Sequence, residues 1–304
     1  MSVAAVVVTY NRKEELLKNL RAVLAQTRPV DRYYVIDNHG SDGTEAALRE
    51  AGILDCPVVE YVYLPENIGG AGGFYTGVKL AYDAGYDYIC LMDDDGRPAD
   101  EEMLQHLLDA AERLHSVYPK QMLNSLVLDL GGEEMAFGLT GIDSREAACT
   151  KAQDGLLYGT INPFNGTLIS RELVTEIGFP NPLFFIKGDE EDYQLRATNA
   201  DAMIATVTAS VYLHPIAEKK AVRVGKRLFR ETTEAPWKEY YRARNLTYIF
   251  HREGKNGLWI RHVVRQSLLA LRYSDHKWKT VRRIIIGFLH GLTGKLGKKI
   301  EPGS

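Results

Sequence analysis

The chain contains few cysteines, three in 304 residues. Cys56, Cys90 and Cys149 show no metal-ligand spacing, and two of them lie in apolar runs. A disulfide framework or a thiolate metal site would need more cysteines at characteristic intervals. We therefore interpret the three as small buried residues of a protein in a reducing compartment.

Long apolar runs and biased segments are also lacking. No low-complexity tract indicates disorder, and none of the basic segments near the carboxyl terminus is apolar for long enough to span a bilayer. The amino terminus passes from Met1 directly into a strand-like run, without the basic segment and cleavage pattern of a signal peptide. We therefore expect synthesis and function in the cytoplasm.

What is present is ordinary globular material with an uneven charge distribution. Hydrophobic residues make up 45% of the chain and charged residues 25%, which suits one large α/β domain with an appendage. Residues 216–304 carry 21 Lys and Arg against 7 Asp and Glu, whereas residues 1–215 carry 16 against 33. The basic region 216–304 is typical of a protein with an anionic partner, such as a membrane face, a lipid-linked phosphate or nucleic acid, although a solvated face would also be basic.

Strand-like and helix-like segments alternate through the first 120 residues. The strand-like runs are at 3–8, 32–36, 58–64 and 88–92, and the helical segments are at 13–25, 45–50, 77–84 and 100–118. This alternation predicts a mainly parallel sheet flanked by helices. Further along we predict strands within 121–141, a loop at 143–155, a strand within 162–170, helices from 172 and over 189–199, a strand at 202–213, and basic amphipathic helices at 236–252, 258–273 and 278–292.

The fourth strand-like run ends in three adjacent carboxylates, Asp93, Asp94 and Asp95. Residues two apart on an extended segment point the same way, so Asp93 and Asp95 can face one cation. Three adjacent negative charges repel one another unless a cation lies among them. Where the substrate carries phosphates, that cation is usually Mg²⁺ or Mn²⁺, bound by one or two carboxylates and the phosphates. The alternative is a solvated acidic turn that starts the next helix.

Polar or glycine-rich residues follow all four strand-like runs, at 9–12, 37–38, 67–73 and 93–95. The carboxyl ends of parallel strands meet at one edge of a sheet, so we predict a ligand site at that edge. The glycines from Gly69 to Gly73 have the wrong position and spacing for a dinucleotide fingerprint. We expect them to admit a sugar or pyrophosphate close to the backbone, or else to form a tight turn.

Three further features are candidates for binding or catalysis. Asp37 could accept hydrogen bonds from a base or ribose, with Thr9 and Tyr10 beside it, although an Asp-Asn pair also initiates turns. The acids at 189–192 begin a helix after a tight bend, and one of them could act as general base on a hydroxyl. His214 ends a buried strand, where it is either structural or a further ligand of a carboxylate-bound metal.

Five motifs follow one another along the chain: VVTYNR at 7–12, VIDNHGSDGT at 35–44, ENIGGAGGF at 66–74, MDDD at 92–95 and GDEEDYQLR at 188–196. Together they resemble the motifs of family 2 inverting glycosyltransferases of the GT-A fold. The glycine-rich motif is most similar to the bacterial galactofuranosyltransferases and rhamnosyltransferases. The resemblance runs from Val3 to His214 and implies a GT-A type catalytic domain over 1–215, which binds a nucleotide-sugar and an acceptor, and a basic helical extension over 216–304.

The resemblance also implies how the donor would be held. The residues at the matching positions are Thr9, Tyr10 and Arg12 for the nucleotide pocket, Asp37 for the uridine or its equivalent, Asn67 and Gly70 under the donor, and Asp94 at the ribose or donor sugar.

Metal and base positions follow in the same way. Asp93 and Asp95 would bind Mn²⁺ or Mg²⁺ at the donor diphosphate, and His214 would complete the metal site. The second acidic motif of the family usually reads Glu-Asp or Asp-Asp, with the second acid as catalytic base. Here Glu190 occupies that position and Asp189 the one before it, so the base is Glu190 or, failing that, Asp189.

The implied activity is metal-dependent inverting transfer of galactofuranose from UDP-galactofuranose to a hydroxyl of a lipid-linked saccharide, in the synthesis of a cell-surface polysaccharide. The alternatives are a rhamnosyltransferase that uses dTDP-rhamnose, a nucleotidyltransferase, and a binding protein without catalysis. The basic helices would hold the enzyme peripherally on the anionic inner face of the cell membrane. Few aromatic residues interleave with the basic ones, so we expect no nucleic-acid partner.

Overall fold

The computed structural model describes residues 1–139, 141–216, 220–224, 227–231 and 234–303, with the backbone alone at 220–224, 227–231 and 256. The chain divides into two compact units. Unit 1 comprises Met1–Pro180 and Tyr193–Ile216, and unit 2 comprises Asn181–Asp192 and Ala217–Ser304. The acids at 189–192 therefore belong to unit 2, although in sequence they precede the last strand of unit 1.

The strands and helices have the following bounds. The strands are β1 (Val3–Thr9), β2 (Arg32–Asp37), β3 (Val59–Tyr63), β4 (Tyr88–Asp93), β5 (Arg97–Pro98), β6 (Gln121–Leu128), β7 (Glu134–Leu139), β8 (Ile142–Ser144), β9 (Leu156–Tyr158), β10 (Thr167–Ser170), β11 (Met203–Leu213), β12 (Lys220–Val224) and β13 (Arg227–Glu231). The α-helices are α1 (Lys13–Leu24), α2 (Thr44–Glu50), α3 (Gly69–Asp83), α4 (Met103–His115), α5 (Arg145–Lys151), α6 (Arg171–Ile177), α7 (Asp189–Asn199), α8 (Pro236–Arg252), α9 (Asn256–Tyr273) and α10 (Lys277–Leu292).

The main sheet of unit 1 has the strand order β3-β2-β1-β4-β10-β6-β11-β5. β1 to β4 are parallel where they pair, β6 and β11 are parallel, and β10 runs antiparallel between β4 and β6. The predicted mainly parallel sheet with flanking helices is therefore confirmed. Because β10 opposes both of its neighbours, β4 and β6 point the same way. The carboxyl ends of β1 to β4, β6 and β11 thus share one edge.

β1 shows why this sheet is buried on both faces. All seven of its residues are buried, and alternate side chains enter different cores. Val3, Ala5 and Val7 belong to one apolar cluster, which includes residues of α1 and α4. Ala4, Val6 and Val8 belong to a second apolar cluster, which includes residues of α3 and α6. The nearly continuous apolar sequence of β1 follows from this two-sided burial.

The glycine-rich segment differs from its prediction. Instead of a loop followed by a helix from Gly77, the helix α3 already begins at Gly69. A Cβ on Gly73 would lie 2.4 Å from a Val8 methyl, and one on Gly77 would lie 2.2 Å from a Val6 methyl. These two glycines therefore let α3 approach β1 closely, which explains them without a ligand.

Two other segments were not predicted in their observed form. The predicted loop at 143–155 contains α5, whose first turn is capped by Ser144 through a 3.2 Å hydrogen bond from the Ala147 amide. β12 and β13 form an antiparallel pair in a stretch for which the sequence predicted no strand. A single capping serine such as Ser144 is weak evidence for a helix in a sequence, and five-residue segments such as β12 and β13 are too short to predict strands reliably.

Unit 2 contains the three predicted basic helices, α8, α9 and α10, with bounds within two residues of those expected. α8 and α10 approach closely because α10 has glycines at the contact. A Cβ on Gly287 would lie 2.4 Å from the Tyr240 carbonyl oxygen, and one on Gly291 would lie 2.4 Å from that of Arg244. Over the part of the chain that is described, no helix is both long and apolar enough to cross a membrane.

We predict that replacing a glycine of α3 by alanine destabilises the protein only where the added Cβ would overlap a neighbouring side chain. Gly77→Ala should lower the free energy of unfolding by about 1–3 kcal/mol, because the new methyl group overlaps Val6. Gly70→Ala in the same helix is the matched control, since its Cβ would meet nothing within 4 Å, and it should be neutral or stabilising by up to about 1 kcal/mol. Chemical denaturation followed by circular dichroism measures both. Equal effects of the two substitutions would contradict the packing argument.

Candidate functional site

The polar residues predicted to converge do so where the strand order of unit 1 reverses. From β1 the chain proceeds outward to β2 and β3, then returns to place β4 on the other side of β1. In open α/β sheets, ligands bind at such a switch point, outside the carboxyl ends of the strands. Thr9 ends β1 and Asp93 ends β4, so the crevice between these two strands is the candidate site.

A potential metal site lies there. Asp93, Asp95 and His214 each offer one ligand atom, and these atoms all lie within 4.8 Å of one another. β5 brings the histidine close, because it follows the triplet and pairs with the end of β11 through Leu213 and Arg97. The His214 Nε2 atom lies 3.0 Å from the Asp95 Oδ1 atom. The structure therefore unites the three residues that the sequence predicted as metal ligands.

The orientation of His214 suits a metal ligand. Its Nδ1 atom lies 2.8 Å from the Pro215 carbonyl oxygen. A carbonyl only accepts, so Nδ1 carries the proton, and Nε2 is the atom directed at the carboxylates. Metal-bound histidines are typically fixed by such a hydrogen bond from the other ring nitrogen. Two carboxylates with one imidazole form a donor set suited to Mn²⁺ and acceptable to Mg²⁺.

The charges of the triplet are balanced from two sides. Burial lowers the pKa of His214, but the hydrogen bond and charge of Asp95 raise it above its usual value overall. Burial raises the pKa of Asp95, but the hydrogen bond and charge of His214, and then Arg12, bring it below its usual value overall. Burial raises the pKa of Asp94 to about 6, against the lowering effects of Arg12 and of the hydrogen bond from Thr9.

Arg12 is the cation that faces the triplet from the loop after β1. Its Nη1 atom donates to Asp95 Oδ2 at 2.5 Å and to Asp94 Oδ1 at 3.2 Å. Thr9 also donates to Asp94, through a buried hydrogen bond of 2.8 Å. The Arg12 side chain is 52% exposed, so it can turn away from the carboxylates without leaving a buried cavity.

A buried polar network under the triplet was missed by sequence reasoning. The Asn19 Nδ2 atom donates to the Gly96 carbonyl at 2.8 Å, and the Tyr212 hydroxyl donates to the Asp93 carbonyl at 3.0 Å. The Tyr33 hydroxyl donates to Asn19 Oδ1, and all three of these side chains are fully buried. The signal available in sequence was an asparagine in the apolar stripe of α1, three residues after Leu16. This network fixes the backbone of the acidic turn that carries Asp93 and Asp95.

Asp37 lies at the same edge, but its carboxylate already has partners. The Tyr61 hydroxyl donates to Oδ2 at 2.6 Å and the Gly40 amide donates to Oδ1 at 2.7 Å. Asp37 is only 1% exposed. A carboxylate has acceptor capacity beyond two bonds. Its contact with a nucleoside stays a prediction, and the loop at Gly40 would have to give access.

Asn67 and Asn38 join the ends of β1, β2 and α3. Asn38 donates from its backbone to the Thr9 carbonyl at 2.9 Å and from its side chain to Asn67 Oδ1 at 3.1 Å. Asn67 Oδ1 also accepts from the Gly69 amide at 2.9 Å, at the start of α3. Apart from its chain neighbours and its own helix backbone, no described residue lies within 4 Å of the Cβ position of Gly70, and Tyr10 is 43% exposed. The predicted donor-binding residues thus line one edge.

The second acidic cluster has its own setting within unit 2. Phe185, Lys187 and Gly188 all have positive φ values, of 65°, 65° and 91°, so the predicted tight bend precedes the acids. The Asn245 side chain holds this bend by donating to the Lys187 carbonyl at 2.6 Å and to the Phe184 and Ile186 carbonyls at 3.0 Å. Left-handed backbone at non-glycine residues is strained, and such strain is common at functional loops.

Burial perturbs two acids of this cluster. Burial, followed by the charge of Glu190, raises the pKa of Asp189 well above its usual value. Burial, again followed by the charge of Glu190, raises the pKa of Glu191 to about 8. Asp192 is instead paired with Arg252 at 2.7 Å. Two carboxyl groups in the first turn of α7 therefore have raised pKa values, and perturbed pKa values are common at functional sites.

Comparison with known proteins identifies a matching family and relatives that align with most of the chain. Residues 4–148 match the family described as Glycosyl transferase family 2. The galactofuranosyltransferase GlfT1 of Mycobacterium tuberculosis is 33% identical over 271 residues, covering 86% of this chain and 87% of the relative. The dTDP-rhamnosyl transferase RfbF of Shigella flexneri is 23% identical over 320 aligned positions, covering 97% of each chain.

A solved structure supports the fold. The crystal structure of GalNAc-T7 with UDP, GalNAc and Mn²⁺ resembles this chain with a TM-score of 0.59 and 12% identity, covering 94% of this chain and 55% of that chain. At this identity the likeness concerns the fold alone, and it confirms the predicted GT-A type architecture. The alignment to GlfT1 extends well beyond the family domain into the carboxyl-terminal region. The chain therefore belongs to glycosyl transferase family 2 and is a glycosyltransferase.

Proposed function

We propose that the chain is a metal-dependent, inverting galactofuranosyltransferase that uses UDP-galactofuranose. The observation that carries the proposal is the cluster of Asp93, Asp95 and His214 at the switch point between β1 and β4. Support for the donor comes from the 33% identity to GlfT1 over most of both chains. The similarity to RfbF keeps dTDP-rhamnose as the second candidate donor.

Asp93, Asp95 and His214 would hold Mn²⁺ or Mg²⁺. A divalent cation bound there supplies positive charge against the diphosphate that leaves with the nucleotide. GalNAc-T7, a structural neighbour, was crystallised with UDP, GalNAc and Mn²⁺, which agrees with such a site. Thr9, Tyr10, Asp37, Asn67 and the open space at Gly70 would position the nucleotide and donor sugar, with Asp94 at the ribose or sugar.

The transfer is proposed as a single displacement. The acceptor hydroxyl oxygen forms a bond to the anomeric carbon of the donor while the bond from that carbon to the diphosphate oxygen breaks on the opposite face. Glu190 takes the hydroxyl proton, with Asp189 as the alternative base. Burial and then the charge of Glu190 raise the pKa of Asp189, so the two candidate bases lie close enough to each other to interact.

The proposed acceptor is a lipid-linked saccharide of a cell-surface polysaccharide. The proposed location is the cytoplasm, with peripheral binding of residues 216–304 to the anionic inner face of the membrane. Support for the location comes from the excess of basic residues in that region, 21 against 7 acids.

The metal and nucleotide are tested together by thermal stabilisation. UDP with Mn²⁺ should raise the unfolding midpoint by about 4 °C or more, and dTDP should do so only if the donor is a dTDP-sugar. Asp95→Asn should abolish the metal-dependent rise, whereas Asp109→Asn, which changes an exposed acid of α4, should retain it. A rise that does not need Mn²⁺, or that survives Asp95→Asn, would contradict the proposed metal site.

The base is tested by isosteric amides. Glu190→Gln should lower kcat by about 10²–10⁴-fold while leaving the stabilisation by UDP and Mn²⁺ intact, because only the proton acceptor is lost. Asp189→Asn is measured in parallel and identifies the base by the larger loss. Glu172→Gln, at an exposed acid in the first turn of α6, is the control and should retain full turnover. Unchanged turnover in both α7 variants would remove the proposed base.

Arg12 should compete with the metal in the absence of donor. Its guanidinium neutralises Asp95 and Asp94, and it would turn to the diphosphate once that group is bound. Arg12→Ala should therefore tighten Mn²⁺ binding without nucleotide by about twofold to fivefold, and weaken UDP binding. Titration of Mn²⁺ by electron paramagnetic resonance measures the first effect. Arg12→Lys keeps the charge and should stay near wild type, whereas weaker Mn²⁺ binding by the alanine variant would refute the competition.

A further inference from the structure

Helix α9 carries an apolar stripe on its exposed side. Ile260, Val264, Leu268 and Leu271 are 49%, 52%, 60% and 36% exposed. Their spacing of four, four and three residues places them on one face of the helix. The opposite side of α9 is used for packing, where Val263 and Ala270 join a small core with Ile284 of α10. The exposed stripe is therefore a second apolar face, which the described residues of unit 2 leave exposed.

Helix α10 has a similar exposed stripe. Trp278, Ile285 and Leu289 are 78%, 46% and 52% exposed, and Arg282 lies in the same row. Gly287 and Gly291, each two positions further on, face α8 from nearly the opposite side of the helix. α9 and α10 are neighbours, with the rings of Trp259 and Phe288 centred 5.0 Å apart. Two adjacent helices thus both present large apolar side chains to solvent.

Basic residues border these stripes. Between Lys255 and Leu292 there are eight Lys and Arg and one acid, Asp275. On α9, Arg261, Arg265 and Arg272 each follow a stripe residue directly. On α10, an open cleft is lined by Trp278, Lys279, Arg282, Arg283 and Ile286. An apolar row edged by arginines and lysines is the composition of helices that lie in a membrane interface.

We propose that the exposed faces of α9 and α10, defined by Ile260, Val264, Leu268, Trp278 and Ile285, form a surface that docks on an anionic lipid bilayer. The apolar side chains would enter the boundary between headgroups and acyl chains, while the lysines and arginines contact lipid phosphates. No described helix is suited to span the bilayer, so both helices would lie along it.

The observations favour a bilayer over two other occupants. A second copy of the chain would bring two strongly positive surfaces together, and like charges in contact are costly. Nucleic acid would satisfy the basic residues but would leave the aliphatic stripes of α9 in water. The inference rests on the proposed function for its purpose, which is access to a lipid-linked acceptor, but the docking itself needs neither donor nor metal.

Vesicle flotation with the full chain tests the surface. The probes are vesicles of phosphatidylcholine alone and of phosphatidylcholine mixed with phosphatidylglycerol. The wild type should float with the mixed vesicles and much less with the neutral ones, and raised salt should weaken the binding. Leu268→Ser combined with Trp278→Ser should lower partitioning by about tenfold, because two exposed apolar anchors are lost. Both side chains are exposed, so the fold should be retained.

Matched controls separate apolar and basic contributions. Val117→Ser removes an apolar side chain of unit 1 that is 69% exposed and should not change flotation. Lys279→Gln with Arg282→Gln should reduce the preference for anionic vesicles. Lys18→Gln with Arg49→Gln, at exposed positions of α1 and α2, changes the net charge equally and should not. Equal losses in the test and control pairs would mean that net charge alone acts, and would overturn the proposed surface.

Other outcomes are equally decisive. Absence of flotation, or equal flotation with neutral and anionic vesicles, would overturn the proposal. So would a dimer in light scattering that the Leu268 and Trp278 substitutions disperse, because a second copy would then cover the surface. Stabilisation by UDP and Mn²⁺ is recorded on the same samples without vesicles. Its loss with flotation retained would count against the proposed function and leave the membrane surface standing, and the reverse result would do the opposite.

Discussion

The repulsion among Asp93, Asp94 and Asp95 is the constraint on which the functional edge of unit 1 depends. The three carboxylates follow one another at the end of β4, whose first five residues are buried, and the residues around them stabilise both the carboxylates and the backbone. Asp94 is buried with a hydrogen bond from Thr9, Asp95 is paired with His214 and Arg12, and the Asp93 carbonyl is held by Tyr212. Such an arrangement is stable only while positive charge stays close. The proposed metal ion would supply further positive charge at this edge.

The sheet topology supplies that positive charge from distant parts of the sequence. Arg12 follows β1 and His214 follows β11, and the pairing of β5 with β11 brings the histidine to the triplet. Gly96 takes part in this arrangement, since a Cβ there would lie 2.2 Å from the Tyr212 ring. The same ring donates through its hydroxyl to the Asp93 backbone. One tyrosine thus limits both the shape and the orientation of the acidic turn.

Unit 2 is built on a different balance of charge and burial. Arg244 is fully buried and donates to the carbonyls of Gly297 and Phe184, while its neighbour Asn245 holds the bend before the acids of α7. These buried polar groups fix a backbone with several positive φ values. On its exposed side, by contrast, the unit presents basic and apolar residues of α9 and α10 together. The buried hydrogen bonds of Arg244 and Asn245 fix the backbone of the bend before the acids of α7. The exposed faces of α9 and α10 have a composition suited to a membrane interface.

The sequence alone determined the class of fold, the family, and the identity of the acidic and basic segments. A buried parallel strand has a continuous apolar sequence, and polar residues follow the strand end. The local sequence pattern of β1 to β4 was therefore sufficient to predict a mainly parallel sheet. Motifs in a fixed order then specified the family. The positions of α9 and α10 followed from their helical periodicity.

Tertiary structure alone decided which side chains meet. Gly73 and Gly77 serve the packing of α3 on β1, and a glycine in sequence does not reveal whether a ligand or a neighbouring strand approaches it. Asn19 and Tyr212 support the acidic turn from α1 and β11, which no local pattern connects. Exposure of the apolar stripes on α9 and α10 is likewise a property of the packed unit. The physical reason is common to all three. Periodicity and composition report each segment's own preferences, whereas contacts depend on chain direction and register across elements far apart in sequence.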